Sequence, residues 1–329
     1  MKRSLLALSF IKRVATSVLI LFLTVSFLFV LVRIAPGDPS QKYLSPNLSP
    51  QLIEKVKSSF QLDKPITEQY ISFVKNAFTG DFGVSYKYHC PVNEVIFETL
   101  PFTILFSFTA FIVQFFGGLL LAFWAFQHHK KFLDKFLSRG SIILYAVPSF
   151  VSGLFLVYIF SVQLKLFPSS GIKTVGTLEE NIFFLGLDYL HHLFLPVLVL
   201  SLTGLPIYFK YFREHFEEHQ QKLYTIYLRA NGVAERKIYL DHIIPNSLNS
   251  IIAYAGVDLG ILFSGALITE VIFSLPGMGR LTVNAILEHD YPLIIGCTLT
   301  SGVLVVLTNL LADLIRMKID QRLIKGLIN

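Results

Sequence analysis

Three groups of residues have types and spacings that could do chemistry. His215-Phe216-Glu217-Glu218-His219 matches H-x-x-E-H, the signature of inverted zinc peptidases. On a helix the i, i+4 spacing sets both imidazoles on one face with a glutamate beside them, so a membrane metallopeptidase using His215, Glu218 and His219 is one reading. Against it, the motif stands among Glu214, Gln220, Gln221 and Lys222, the mark of a solvated helix, and no third ligand is evident. Asp258 is the second candidate, an acid deep within an apolar run. It lies roughly 14 Å along a helix from Asn249, and facing lipid with its charge would cost at least about 2.5 kcal/mol. It must therefore face protein or water, either bonding a neighbouring helix or lining a path and giving it negative potential; Gly256 and Gly260 on either side leave room for a close helix or a solute. The third group, His128-His129 and His191-His192, is adjacent rather than four apart and reads as interfacial.

Other chemistry is thinly represented. A phosphate-binding loop needs G-x-x-x-x-G-K-[ST], and Gly171-Ile172-Lys173-Thr174 has an intervening residue and lacks the upstream glycine. Any ATP-driven work would need a separate ATPase chain, and proton coupling would place more acids or histidines within the helices. Cys90 and Cys297 allow at most one bridge and no four-cysteine zinc site. No cofactor is implied.

The elements that must position these residues follow from composition. Hydrophobic residues are 53% of the 329 and charged residues only 15%, against about one quarter charged in ordinary soluble domains. With apolar residues in long blocks, the chain is predicted to be an all-α, multi-pass membrane protein. The formal charge of +6 would suggest a nucleic-acid partner in a soluble protein; here the placement of the charges matters more, and no nucleic acid is expected.

Uncharged runs place six membrane-spanning helices. Val14 to Val32, Phe102 to Gln127, Gly140 to Leu164 and Tyr291 to Ala312 each suffice to cross about 30 Å of hydrocarbon. Tyr189 to Phe209 is another, with Pro196 and Pro206 as possible kinks, and Ile243 to about Phe273 is interrupted only by Asp258 and Glu270. The first run follows Lys2, Arg3, Lys12 and Arg13, but it exceeds a signal peptide's apolar region and lacks a small-residue cleavage site, so an uncleaved anchor is expected. Both termini then share a side with the second and fourth loops, and together these hold 18 lysines and arginines. The two short loops opposite hold only Lys165, Lys173 and Arg280, so both termini are predicted to be cytoplasmic.

The division expected is an N-terminal segment and first helix (1–35), a long external loop with short helices (36–100), and a five-helix core (101–329). In the external loop, Ser49-Pro50 reads as a helix start, and Pro65 opens a second helix in which Ile66, Tyr70, Phe73, Val74 and Ala77 recur at helical spacing before Gly80. That loop is either a lid over the helix ends or a surface for a delivering partner. Inside, about 210–249 is charged, helical in pattern and broken at Asn231-Gly232, a docking surface for a partner.

Tyr227-Leu228-Arg229-Ala230-Asn231-Gly232-Val233, then Ile238 and His242-Ile243-Ile244-Pro245-Asn246, resembles the EAA loop of bacterial ABC importer permeases in the form used by dipeptide and oligopeptide permeases. The family's glycine and the proline thirteen residues on are met by Gly232 and Pro245. The resemblance covers nearly the whole chain: Arg33 with Pro36-Gly37-Asp38-Pro39, Leu62-Asp63-Lys64-Pro65, Gly80-Asp81-Phe82-Gly83-Val84-Ser85, Glu270-Val271-Ile272-Phe273 with Pro276-Gly277-Met278-Gly279, and Asp290-Tyr291-Pro292-Leu293 are similar to family segments in the same order. There are departures. Ala234 stands where a serine N-cap is usual, a loss of about 1 kcal/mol, Leu228-Arg229-Ala230-Asn231-Gly232 replaces alanine-arginine-alanine-lysine-glycine, and Ile319-Asp320-Gln321-Arg322 lacks the usual proline.

The resemblance implies a permease subunit in a bacterial inner membrane, forming half of a translocation path. Its implied partners are a homologous second permease, two ATP-binding subunits and an external solute-binding protein. Peptides are the implied cargo, with nickel or another small solute as the alternative. Coupling to the ATPase falls to Tyr227, Arg229, Ala230, Gly232, Val233, Ile238 and Pro245. On physical grounds, Gly232 can adopt a left-handed turn between two short helices. Tyr227, Ala230 and Val233 would offer a small apolar face, with Arg229, Arg236 and Lys237 as a polar rim. The bland alternative is a charged connector with an ordinary C-cap glycine.

Overall fold

A computed structural model describes residues 2–34, 65–174 and 182–319. Among them the chain is helical; the sole β pairing is an isolated bridge between Val84 and Pro91. The helices are α1 (Lys2–Ile34), α2 (Ile66–Thr79), α3 (Val92–Gln127), α4 (Phe132–Ala146) and α5 (Ser149–Leu156), which continues as a π-helical stretch over Val157–Gln163. There follow α6 (Ile182–Gln220), α7 (Leu223–Ala230), α8 (Glu235–Ile238), a π-helical Tyr239–Ile243, α9 (Ile244–Phe263), α10 (Leu267–Ile272), α11 (Met278–Leu287) and α12 (Tyr291–Ile319). Ser49-Pro50, Pro36 to Pro39, Leu62 to Lys64 and Asp320 to Arg322 lie outside the described residues.

Among the described residues five helices are long and apolar enough to cross a membrane, and the count reaches six only if α4 and α5 form one bent span. The predicted run Gly140 to Leu164 is therefore not a single straight helix: α4 and α5 meet at 100°. Pro148 is the cause. Its ring excludes helical backbone at the preceding residue, and Val147 is extended at φ −82, ψ 123. The run Ile243 to Phe273 also breaks, at Ser264-Gly265, where Gly265 takes φ +113. By contrast, α6 runs continuously through Pro196 and Pro206 and on to Gln220, eleven residues past the predicted end at Phe209. Helix α3 starts at Val92, within the segment assigned by sequence to the external loop, and carries Pro101 in its first turns.

Small residues let the helices approach closely. Gly118 and Gly204 bring α3 against α6, where an added Cβ would run into Tyr208 and the Gln114 side chain respectively. On α9, a Cβ at Gly256 would strike Ala312, and one at Gly260 would lie 2.9 Å from Val305 Cα. The room beside Asp258 is thus taken by a close helix, α12, as small-residue interfaces in membranes allow. Helix α1 lies against α12, with Val25 and Leu28 buried beside Ile295 and Leu299, and Arg13 pairs with Asp313.

Helix α2 forms where Pro65 and the apolar spacing predicted it, and ends at Gly80 with φ +76. Tyr70 meets Phe29 edge-on at 5.3 Å and its hydroxyl lies 2.7 Å from Ser26 Oγ, so α2 packs on α1. Two segments distant in sequence then meet. The buried Asp290 carboxylate accepts hydrogen bonds from Ser85 Oγ (2.6 Å), Lys87 N (3.1 Å) and Leu293 N (3.3 Å). Glu270, also fully buried, accepts from Arg280 N (2.9 Å) and Ala266 N (3.3 Å). A Cβ at Gly277 or Gly279 would meet that carboxylate, so both glycines make room for it.

Candidate functional site

The most accessible constellation is the two-helix turn after α6. Helix α7 is short and amphipathic, and its outward face carries Leu223, Ile226 and Tyr227 at 84%, 51% and 69% exposure. Ala230, a further turn along, is exposed as well. These positions follow the i, i+3, i+4, i+7 stripe of one helical face. The eight-residue helix thus turns its apolar stripe outward instead of burying it.

Gly232 makes the turn. Its φ is +74, with no atom within 4 Å of where a Cβ would sit, so the requirement there is conformational rather than steric. Its N–H bonds Arg229 O at 2.9 Å and Val233 N–H bonds Leu228 O at 3.1 Å, closing the C-terminus of α7. The Arg229 guanidinium spans the turn and grips Glu235 with two hydrogen bonds, Nε to Oε1 at 2.6 Å and Nη2 to Oε2 at 3.1 Å. That grip holds the Glu235 carboxyl below the ordinary glutamate range and raises Arg229. Ala234 supplies no side-chain cap to α8, as its identity predicts.

The rest of the turn is bolted to the bundle. Ile238 is fully buried, and Val233, Leu228 and Tyr239 pack against the cluster holding Phe126, Phe212 and Phe216. The Tyr239 ring meets Phe126 edge-on at 5.3 Å. At the start of α7, Thr225 Oγ1 bonds His219 O at 2.7 Å, and His219 Nδ1 lies 2.9 Å from the Tyr224 hydroxyl. Of the residues singled out by sequence, Tyr227 and Ala230 face outward and Pro245 is exposed near the start of α9. Val233 and Ile238 do not join that apolar face; they anchor the turn by packing into the cluster of Phe126, Phe212 and Phe216. Leu223 and Ile226 are the outward residues that the motif reading passed over. Their helical spacing from Tyr227 and Ala230 was the available signal.

The histidine motif is organised otherwise. Phe216 points into the core, His215 Nδ1 lies 3.5 Å from Glu218, and His219 is turned to Tyr224. Among the described residues no group of three His, Cys, Asp or Glu side chains is placed to hold a metal ion. Asp258 lies elsewhere, in the C-terminal half of α9. One of its oxygens, Oδ2, accepts from Gln114 Nε2 of α3 at 2.6 Å and from Tyr208 Oη of α6 at 2.8 Å. It is half-buried and ties three helices together.

Comparison with known proteins places this architecture. Residues 114–325 match the model of the family described as binding-protein-dependent transport system inner membrane component, and residues 7–107 match its N-terminal companion. The chain is 32% identical over 314 residues to the oligopeptide transport system permease protein AppB of Bacillus subtilis, covering 95% of this chain and 98% of that one. It is 32% identical to a putative peptide permease protein of Brucella suis, over 93% of this chain and 95% of the relative. It is 29% identical to the dipeptide transport system permease protein DppB of Lactococcus lactis, over 95% and 97%. These matches run through the bundle, the two-helix turn and the Glu270 and Asp290 locks alike, and the chain belongs to the family of multi-pass inner-membrane components of binding-protein-dependent transport systems.

Proposed function

We propose that this chain is the permease subunit of an ATP-driven importer of peptides and forms half of the translocation path. The observation that carries the coupling part is the α7–Gly232–α8 turn, whose outward face is apolar and whose inward face is bolted to the bundle. The cargo reading rests on relatives whose names specify oligopeptide, dipeptide or peptide transport. No observation favours nickel over peptides.

In this reading the turn lies on the cytoplasmic side, and Leu223, Ile226, Tyr227 and Ala230 dock in a groove of an ATP-binding subunit. Two such subunits, a homologous second permease and an external solute-binding protein complete the importer. A short helix responds to its partner as a lever only if its own turn is stiff. The left-handed Gly232 and the Arg229–Glu235 grip fix the angle between α7 and α8. Val233 and Ile238 then pass a displacement to the end of α6, while Pro245 sits where it enters α9. Asp258, pinned to α3 and α6, contributes negative potential to the path.

The test is uptake of labelled peptides by cells lacking this subunit and complemented with the gene. Restored uptake is expected, and Leu223→Asp with Tyr227→Asp should abolish it and uncouple the ATP-binding subunits in pull-down. Uptake unaffected by both acidic substitutions would refute α7 as the docking helix.

A further inference from the structure

The bent third span creates a feature that the coupling turn does not use. Helix α4 is laid against α6 by the Asp134–Arg213 pair, with Arg213 Nε 2.7 Å from Oδ1 and Nη2 3.1 Å from Oδ2. Between α4, α6 and α9 there remains a cleft of about 580 Å³, within the ~300–1,000 Å³ typical of small-ligand sites. Each helix contributes a tyrosine: Tyr145 from α4, Tyr211 from α6 and Tyr254 from α9. The Tyr254 ring packs on Tyr211 at 5.1 Å and on Tyr208 at 5.3 Å. Among the described residues, none of the hydroxyls of Tyr145, Tyr211 and Tyr254 makes a hydrogen bond. Lys210 and Glu214 also line the cleft.

We propose that this cleft is a contact site for the transported peptide, with Tyr145, Tyr211 and Tyr254 facing its backbone and Lys210 receiving its C-terminal carboxylate. The proposal rests on the transport reading above and deepens it. A carrier of varied peptides can recognise only what all share, the amide backbone and the two charged ends. Tyrosine suits the first task, since its rigid ring covers apolar area while its hydroxyl donates to a carbonyl or accepts from an N–H. Lys210 suits the second. Its pairing with Glu214 is long, at 3.8 Å, and both side chains are well exposed, so the bond is weak and readily exchanged for a peptide carboxylate. The bound peptide therefore points its carboxylate toward Lys210.

The experiment uses the complete importer in proteoliposomes, with radiolabelled trialanine as the probe and a photoreactive benzoylphenylalanine at position 142, a cleft-lining isoleucine that is 68% exposed. During ATP-driven turnover the probe is expected to crosslink to position 142. Lys210→Gln should raise KM for uptake about tenfold with kcat little changed, and Lys210→Arg should restore it. Crosslinking only to the second permease or to lipid, or an unchanged KM in Lys210→Gln, overturns the cleft while wild-type uptake of trialanine keeps the transport reading intact. Absence of peptide uptake by the wild-type importer overturns both.

Discussion

At the scale of single residues, two side-chain positions carry separable predictions. Gly232 occupies a left-handed conformation in open space, so what a substitution meets is backbone strain, on the order of 1–2 kcal/mol for an ordinary residue and more for a β-branched one. Gly232→Val should insert normally yet lose uptake, whereas Gly232→Asn should retain most of it, because asparagine tolerates this region. Uptake normalised to membrane-level protein would check both. Asp258→Asn keeps an oxygen to accept from Gln114 and Tyr208, so the three-helix tie survives while the charge is lost. Reduced peptide uptake at unchanged membrane levels is the expected result; normal uptake would reduce Asp258 to a purely structural bond.

At the scale of elements, the link between α9 and α12 is held by a buried carboxylate as well as by apolar packing. Glu270 satisfies backbone N–H groups at the Ser264-Gly265 break and at the start of α11, which a membrane-embedded chain must do internally. A methyl group at Gly279 would lie 2.8 Å from Leu267 N and 2.9 Å from Glu270 Oε2. Gly279→Ala is expected to destabilise the bundle by about 1–3 kcal/mol, visible as a lowered unfolding temperature in detergent; an unchanged temperature would show that the link adapts freely. The α7–α8 turn has a pH dependence of known sign. Glu235 is held below its ordinary pKa by Arg229, so the grip is intact above the usual glutamate range and is lost as pH falls through the folded value. As both side chains are partly exposed, its worth is about 0.2–1 kcal/mol. A double-mutant cycle with Arg229→Ala and Glu235→Ala should give a coupling energy of that size at pH 7 and none well below pH 4.

At the scale of the whole molecule, the charge asymmetry predicts a topology that reporter fusions can read. Fusions near Lys131, Gln220 and Lys325 are expected to report cytoplasm, and those near Lys64, Thr177 and Leu281 the opposite side. The fusion at Gln220 is decisive, since no cytoplasmic ATPase could reach α7 if that point lay outside. Bending α4 away from α5 leaves the tyrosine-lined cleft open against α6 and α9 instead of packing it shut.

What the sequence determined by itself was whatever depends on one-dimensional patterns. Solvation by lipid demands long uncharged runs, so the class of protein and the existence of α1, α3, α6, α9 and α12 were legible from composition alone. The Gly232 turn and the start of α2 at Pro65 were legible because a glycine or proline acts on its own backbone. The ordered motifs from Gly80 to Leu293 identified the family for the same reason, being local in sequence. Tertiary structure decided what depends on which surface lies opposite. It turned Val233 and Ile238 inward and left Leu223 and Ile226 outward, since the face of a short helix that meets the cluster of Phe126, Phe212 and Phe216 is decided by where the bundle lies. It paired Ser85 with Asp290 and gathered backbone N–H groups around Glu270, contacts between residues remote in the chain. It also filled the space beside Gly256 with α12, since which helix lies opposite a small residue is decided by the fold and not by its neighbours in the chain.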